Sequence, residues 1–253
     1  MTTMRDALYQ TLVPALRLTN ALARRGVGFL HLLQFKVEGF LRPDAEWFDH
    51  QLDVYWQWPA LGRSSFLERG VLNSLAIKPG GRVLELCSGD GFNSSRFYAT
   101  HASSVLGLDN NREALNHARR VNCAPNVRFD RADIREPLPP GPFDNVIWDA
   151  ALTHFVEPDV KCILTNVKKI LTPAGVFSGY TNYEPASDYS YDMLNLPNAD
   201  SLAAILINAF SHVYIRQSSE GERMNYYFFC STAAEALPFS PKHPDVLAQY
   251  AAP

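Results

Sequence analysis

Few features of this chain assign a protein at a glance. Its four cysteines, Cys87, Cys123, Cys162 and Cys230, include no C-x-x-C pair. Three fall in predicted strands or helices and Cys123 just after one, so they read as buried, reduced thiols, which points to a cytoplasmic protein. No metal site is read from them. Charge of one sign is also scarce: 23 basic against 26 acidic residues give a net −3, which supplies no basic field for nucleic acid. No apolar run reaches membrane-spanning length, and no signal peptide is expected. Internal repeats and low-complexity segments are missing as well. What is present, 47% hydrophobic and 19% charged residues over 253 positions, suits one packed domain with an extension.

The stretch that organises the chain is Val83 to Ser95, VLELCSGDGFNSS. Val83, Leu84 and Leu86 read as a strand carrying one acid, Glu85. Gly89 and Gly91 make a tight turn, and Phe92 to Thr100 reads as a helix. Glycine is needed where backbone passes close to a ligand at φ values that a Cβ forbids. The free N–H groups opening the next helix give such a turn a polar floor. Alone, a G-x-G also fits a strand-to-helix turn with no ligand. Three further segments shift that balance. Val105 to Asp109, Val127 to Asp133 and Phe143 to Asp149 each read as an apolar strand with an acid at or just past its end. Ligands of open α/β sheets lie outside the strands' carboxyl ends, where Asp109, Asp133 and Asp149 fall.

This combination, over roughly Phe66 to Thr232, resembles the class I S-adenosylmethionine-dependent methyltransferases. The resemblance implies an α/β fold, a doubly wound seven-stranded sheet of Rossmann-like type with one antiparallel strand, behind a helical N-terminal extension. It divides the chain into an extension or lid at 1–64, a methyltransferase domain at 65–237 and a tail at 238–253. It implies S-adenosylmethionine as cofactor, held around the turn by Glu85, Cys87, Ser88, Gly89 and Gly91. The family pattern is acid-x-G-x-G-x-G, and Cys87 stands at the first glycine. Asp109 and Asn110 follow the second strand. Both oxygens of Asp109 are expected to accept from the ribose hydroxyls, the alternative being a cap on the helix Arg112 to Asn122. Asp133 is expected to accept from the adenine amino group with Ile134 near the ring, or else to pair with Arg131 or Arg135. Asp149 and Ala150 face the methionine end. By the same resemblance Arg69, in the helix Ser65 to Leu75, holds the cofactor's carboxylate; otherwise it is a solvated helix charge. A nicotinamide dinucleotide would call for a third glycine at Ser94.

Two side chains are candidates for the chemistry. His154 lies just beyond the fourth strand and is suited to take a proton from a hydroxyl acceptor, or it packs beside the next helix. Tyr180, ending a strand Val176 to Tyr180, would orient that acceptor. The tyrosine-rich stretch Thr181 to Asn198, with Tyr183, Tyr189 and Tyr191, is long for a connection and reads as acceptor recognition. No N-P-P-Y or D-P-P-Y motif marks a DNA-base methylase, and no glutamate pair marks a protein arginine methylase. The expected activity is methyl transfer to a small-molecule or sugar-linked acceptor at oxygen. The alternatives are a non-catalytic S-adenosylmethionine-binding regulatory module and an aminopropyl transferase, for which no acid set is visible.

Residues 1 to about 42 read as helix broken near Gly26 and Gly28, with Leu8, Leu12, Leu16 and Leu22 as a stripe. Arg5, Arg17, Arg24, Arg25, Lys36 and Arg42 outnumber Asp6 and Glu38. The segment is a candidate for peripheral membrane contact; the plainer reading packs its stripe on the domain or on a second subunit, leaving oligomer formation open. Trp47, Phe48, Tyr55, Trp56 and Trp58 then cluster, as a lid or as ordinary core.

Overall fold

A computed structural model describes residues 4–41, 49–52, 54, 62–185, 193–238 and 248–251. The aromatic cluster Trp47 to Trp58 and the tyrosines Tyr189 and Tyr191 lie outside the described residues. The chain divides into two compact units, Met1–Arg63 and Ser64–Pro253.

The first unit contains α1 (Met4–Leu41), which runs unbroken through Gly26 and Gly28 and through Pro14. The expected break does not occur. A glycine in a helix interior costs about 1 kcal/mol, and the long run of leucine, alanine and arginine on both sides keeps propagation favourable. Thr11 and Thr19 return their hydroxyls to the carbonyls of Ala7 and Ala15 at 2.9 and 3.0 Å, so neither leaves a polar group loose. The leucine stripe is exposed in the single chain.

The second unit opens with α2 (Ser65–Leu75) and then builds one sheet. The chain proceeds β1 (Arg82–Leu86), α3 (Phe92–Arg96), β2 (Ser104–Asp109), α4 (Arg112–Val121), β3 (Val127–Arg131), β4 (Phe143–Asp149), α5 (Glu157–Ile170), β5 (Leu171–Tyr183), α6 (Ala199–Leu206), β6 (His212–Glu220), β7 (Arg223–Ser231) and β8 (Ala248–Ala251). The spatial order is β3-β2-β1-β4-β5-β7-β6-β8. Strands β1 to β5 pair in parallel, and β7 lies antiparallel between β5 and β6. This is the expected sheet with an eighth strand added. The tail, expected to be a loose extension, contributes β8, which pairs antiparallel with His212 to Ile215 of β6.

Two other boundaries differ from expectation. The α-helix after the glycine turn ends at Arg96, and a separate 3-10 turn covers Tyr98–Thr100. Strand β5 starts at Leu171: Pro173-Ala174-Gly175 is an irregularity within it, where the register with β4 shifts between Phe143 and Asn145. At its other end β5 outruns β4. Tyr180 pairs with Asp149, and Thr181 to Tyr183 pair only with β7. Tyr180 therefore lies inside the strand.

The core explains the order. Leu84 and Leu86 of β1, Val146 and Trp148 of β4 and Phe177 of β5 are buried against Val160, Ile163, Leu164 and Val167 of α5. Those four recur at helical spacing, so one face of α5 is apolar throughout. Burying each such side chain is worth about 1.5–3 kcal/mol. Of the cysteines, all free, only Cys230 is buried; Cys87 is half-buried, and Cys123 and Cys162 are exposed. The expectation of four buried thiols therefore fails: Cys162 sits on the solvent face of α5, and Cys123 lies just beyond the end of α4.

Candidate functional site

From β1 the chain winds outward through β2 to β3, and from β4 it winds the other way. The crevice of such a sheet opens between these two central strands at their carboxyl ends. Two residues there hold left-handed backbone without being glycine: Cys87 just after β1, at φ +56°, and Ala150 just after β4, at φ +59°. A Cβ in that region costs about 1–2 kcal/mol. Backbone strain of this kind tends to collect at functional sites, and here both instances sit on adjacent strand ends.

The turn between β1 and α3 is held from within. Ser88 N–H donates to the Leu108 carbonyl at 2.8 Å and Gly91 N–H to the Ser88 carbonyl at 2.9 Å. Gly89 and Gly91 sit at φ +54° and +71°. A Cβ on Gly91 would stand 2.3 Å from the Phe129 ring, so both backbone angle and space require glycine. Beneath the turn, Glu85 is buried and accepts a short hydrogen bond from the Ser94 hydroxyl. Burial pushes its carboxyl well above the usual range. The Ser94 bond opposes this, and the negative charges of Asp149 and Asp90 add to it. Glu85 thus supports the turn from below, through Ser94.

Asp109 ends β2 and reaches back to the turn. One oxygen accepts from Gly89 N–H at 2.8 Å, and the other from Asn111 N–H at 2.8 Å. The two oxygens are therefore not both free, as expected, but each keeps a lone pair, and the side chain is half-buried. Burial raises the carboxyl above its ordinary value, and the backbone hydrogen bonds from Asn111 and Gly89 only partly oppose it. The cap of α4 is Asn111, which accepts from Glu113 and Ala114 N–H; Asp109 is spared that task. The carbonyl of Asn110 accepts from Arg131 Nε at 3.0 Å.

Asp133, after β3, pairs with Arg135, the second of the two roles expected of it. Arg135 brackets its carboxylate through Nε and Nη2 at 2.5–3.1 Å, and that hydrogen bonding, ahead of a small opposing effect of burial, holds the acid below its ordinary value. Ile134 beside it is buried in the main core.

At the end of β4 a buried ion pair forms. Arg69 of α2 places Nε 3.3 Å from Asp149 Oδ2, and Asn93 of α3 donates to the same oxygen at 2.8 Å. The guanidinium lies over the rings of Phe66 at 5.0 Å and Tyr180 at 5.7 Å. Arg69 is 4% exposed, so it is no solvated helix charge. Ala150 N–H donates to the Tyr180 carbonyl at 2.8 Å, fixing the bend after Asp149.

Tyr180 is also committed. Its buried hydroxyl donates to Asn225 Oδ1 at 2.7 Å and accepts from Arg223 Nη2 at 3.0 Å. The role expected of it, orienting an acceptor, gives way to bracing β5 against β7. His154 closes the 3-10 turn Leu152–His154 and is half-buried. The Thr153 carbonyl before it accepts from the N–H groups of Met193 and Leu194 at 2.8 and 3.1 Å, so the chain returning after β5 is tied down beside His154.

Sequence reasoning passed over two contributors. Asn93 sits in the small polar run after the glycines, a signal that could have been used. Glu220 gave none. It ends β6 and accepts from Ser64 N–H, Ser65 N–H and the Ser65 hydroxyl at 2.6, 2.9 and 2.7 Å, so it caps α2 from 155 residues away.

The glycine turn, the half-buried acid at β2 and the buried Ser88 hydroxyl, which finds no partner among the described residues, together fit an adenosyl ligand that supplies hydroxyls and a backbone-facing body. The fold and this site resemble those of the class I S-adenosylmethionine-dependent methyltransferases. Residues 83–175 match the family described as a methyltransferase domain. An uncharacterised methyltransferase of Synechocystis is 32% identical over 117 residues, 46% of this chain and 54% of that protein. A sterol 24-C-methyltransferase of Gibberella zeae is 25% identical over 118 residues, 45% of this chain and 30% of that enzyme. The chain thus spans about half the length of one curated relative and under a third of the other. Among solved structures, the N-methyltransferase NodS of Bradyrhizobium japonicum, in complex with S-adenosylhomocysteine, superposes with a TM-score of 0.57. It is 18% identical, covering 72% of this chain and 93% of that one.

Proposed function

We propose that this chain binds S-adenosylmethionine across the carboxyl ends of β1, β2 and β4 and methylates a small-molecule or sugar-linked acceptor at oxygen. The observation that carries the first half is the placement of Asp109. Its carboxylate is hydrogen-bonded to Gly89 N–H, so the acid and the glycine turn form one wall, with lone pairs left over for two vicinal hydroxyls. When bound, the cofactor supplies a methyl group on a sulfonium, which makes that methyl strongly electrophilic. The protein's part is then mostly alignment of the attacking atom. Arg69, Asp149 and Asn93 fix the floor of the cleft at β4. Asp133 and Ile134 stand at the β3 side, where Asp133 would exchange part of its Arg135 pairing for an adenine amino group.

The oxygen acceptor rests on His154. It follows the β4 end directly, in a turn pinned by two backbone hydrogen bonds, and a histidine is the residue type that accepts a proton near neutral pH. Titration calorimetry with S-adenosylhomocysteine tests the binding half. Asp109→Ala should lose about ten- to a hundredfold in affinity, as expected for a charge-assisted hydrogen-bond pair; unchanged affinity in a folded variant contradicts it. For the acceptor half, His154→Ala should lower turnover at saturating cofactor by about a hundredfold and flatten its pH profile. Tight product binding with no turnover of any hydroxyl acceptor would favour the non-catalytic binding module of the same fold.

A further inference from the structure

The long helix α1 presents an apolar face that nothing among the described residues covers. Leu8, Leu12, Leu22, Leu33, Val37 and Phe40 fall on one side of the helix, and each is between 45% and 85% exposed. With Leu18 at one margin and Leu16 at the other, both also exposed, this side spans about 160° of the circumference at 100° per residue. The only charged residues on it are Arg5 and Lys36, near its margins; Arg25 lies just outside the Leu18 margin, while Arg17 and Arg24 face away. The helix carries five basic residues and two acidic ones, in a chain whose net charge is −3. The acidic excess thus lies wholly outside α1.

We propose that α1 docks lengthwise on an anionic lipid surface. A broad apolar face, bordered by basic side chains whose stems can lie along it, suits a planar interface. The charge is complementary to acidic headgroups. At about 57 Å, from 38 residues, the helix would lie in the interfacial plane, and no described helix is long and apolar enough to cross a membrane. A second copy of the chain is the weaker occupant. A paired-helix seam continued from Leu8 and Leu12 at heptad spacing passes through Leu22, Phe29, Leu33 and Phe40, but Ala15, Thr19, Gly26 and Lys36 interrupt it, and further large side chains such as Leu16, Leu18, Leu30 and Val37 lie outside a width that a seam can use.

The test is co-sedimentation of the full chain with two kinds of vesicle, phosphatidylcholine alone and phosphatidylcholine with phosphatidylglycerol. Binding should require the anionic lipid and fall as salt shortens the screening length. Leu12→Glu with Leu33→Glu should abolish it. Arg5→Glu with Lys36→Glu, which keeps every apolar side chain of the face, should weaken it by about thirtyfold or more on anionic vesicles. Calorimetric affinity for S-adenosylhomocysteine should be unchanged in both variants, which checks the fold and separates this proposal from the one about the cleft. Three results overturn it: no sedimentation with anionic vesicles at low salt, equal salt-independent binding to both vesicle types, or a dimer by light scattering that Leu12→Glu with Leu33→Glu dissociates.

Discussion

Cys87 shows what a single position can cost. The resemblance placed it where relatives keep glycine, and the structure shows why glycine is favoured: φ is +56°. Replacing it should therefore help the fold. Cys87→Gly removes a left-handed Cβ at about 1–2 kcal/mol and returns about 0.5–1 kcal/mol in unfolded-chain entropy. The expected net is a gain of up to about 1.5 kcal/mol in urea denaturation, with no gain for Cys87→Ala, which keeps the Cβ. Asp109 is the residue read most fully from sequence, because its distance from the glycines reflects one β-α-β unit. The hydrogen bonds that occupy its oxygens were not legible, since they depend on where the turn's N–H groups point. Arg69 and Asp149 are 80 residues apart, and nothing local announces that one neutralises the other. The same holds for Tyr180, whose hydroxyl is claimed by residues of β7 more than 40 positions on.

At the scale of the element, α2 governs the cleft. Its N-terminus is gripped by Glu220, and the Tyr227 hydroxyl donates to Glu68 one turn further along, at 2.9 Å. That docking carries Arg69 to Asp149. Burial pushes the Glu220 carboxyl up, but the hydrogen bonds from Ser65 and Ser64 outweigh it, and the net shift is downward. A carboxyl whose folded value is depressed contributes stability above its unfolded value, near 4.3 for glutamate, and loses it as pH falls through the folded value. Glu220→Gln should therefore destabilise the protein at neutral pH by about 0.5–2 kcal/mol. The gap to the parent should close below about pH 4, as followed by thermal melts across pH. A variant equally destabilised at pH 3 and pH 7 would mean that the charge plays no part. The family resemblance located the extent of α2 closely, the capping asparagines marked the start of α4, and an apolar face repeating from Val160 to Ile170 located α5. Sequence reading misjudged α1, where glycines within a strong helical run were read as breaks, and β5, where a Pro-Ala-Gly sequence that usually turns the chain is absorbed as an irregularity between two pairing registers.

At the scale of the whole molecule, the parallel half of the sheet carries the cleft, while the β5-β7-β6 half rises beyond it to support Tyr180 and Glu220. The fold class was legible because alternating strands and helices with acids at strand ends permit few other arrangements. The eighth strand was not: a short segment in a tail has no periodicity to reveal it. Its position has a consequence for how the protein behaves in a crowded solution. Without β8, the apolar stretch Val213-Tyr214-Ile215 of β6 would form an open sheet margin, the kind of margin on which another chain can continue the ladder. β8 pairs with that stretch, and the rest of β6, Arg216 to Glu220, which pairs on that side with nothing among the described residues, is polar and charged. A chain shortened before residue 247 should still fold around its cleft, yet form concentration-dependent aggregates with a β-rich infrared signature that the full chain lacks. The last few residues of the sheet then serve less to hold this molecule together than to keep it apart from its neighbours.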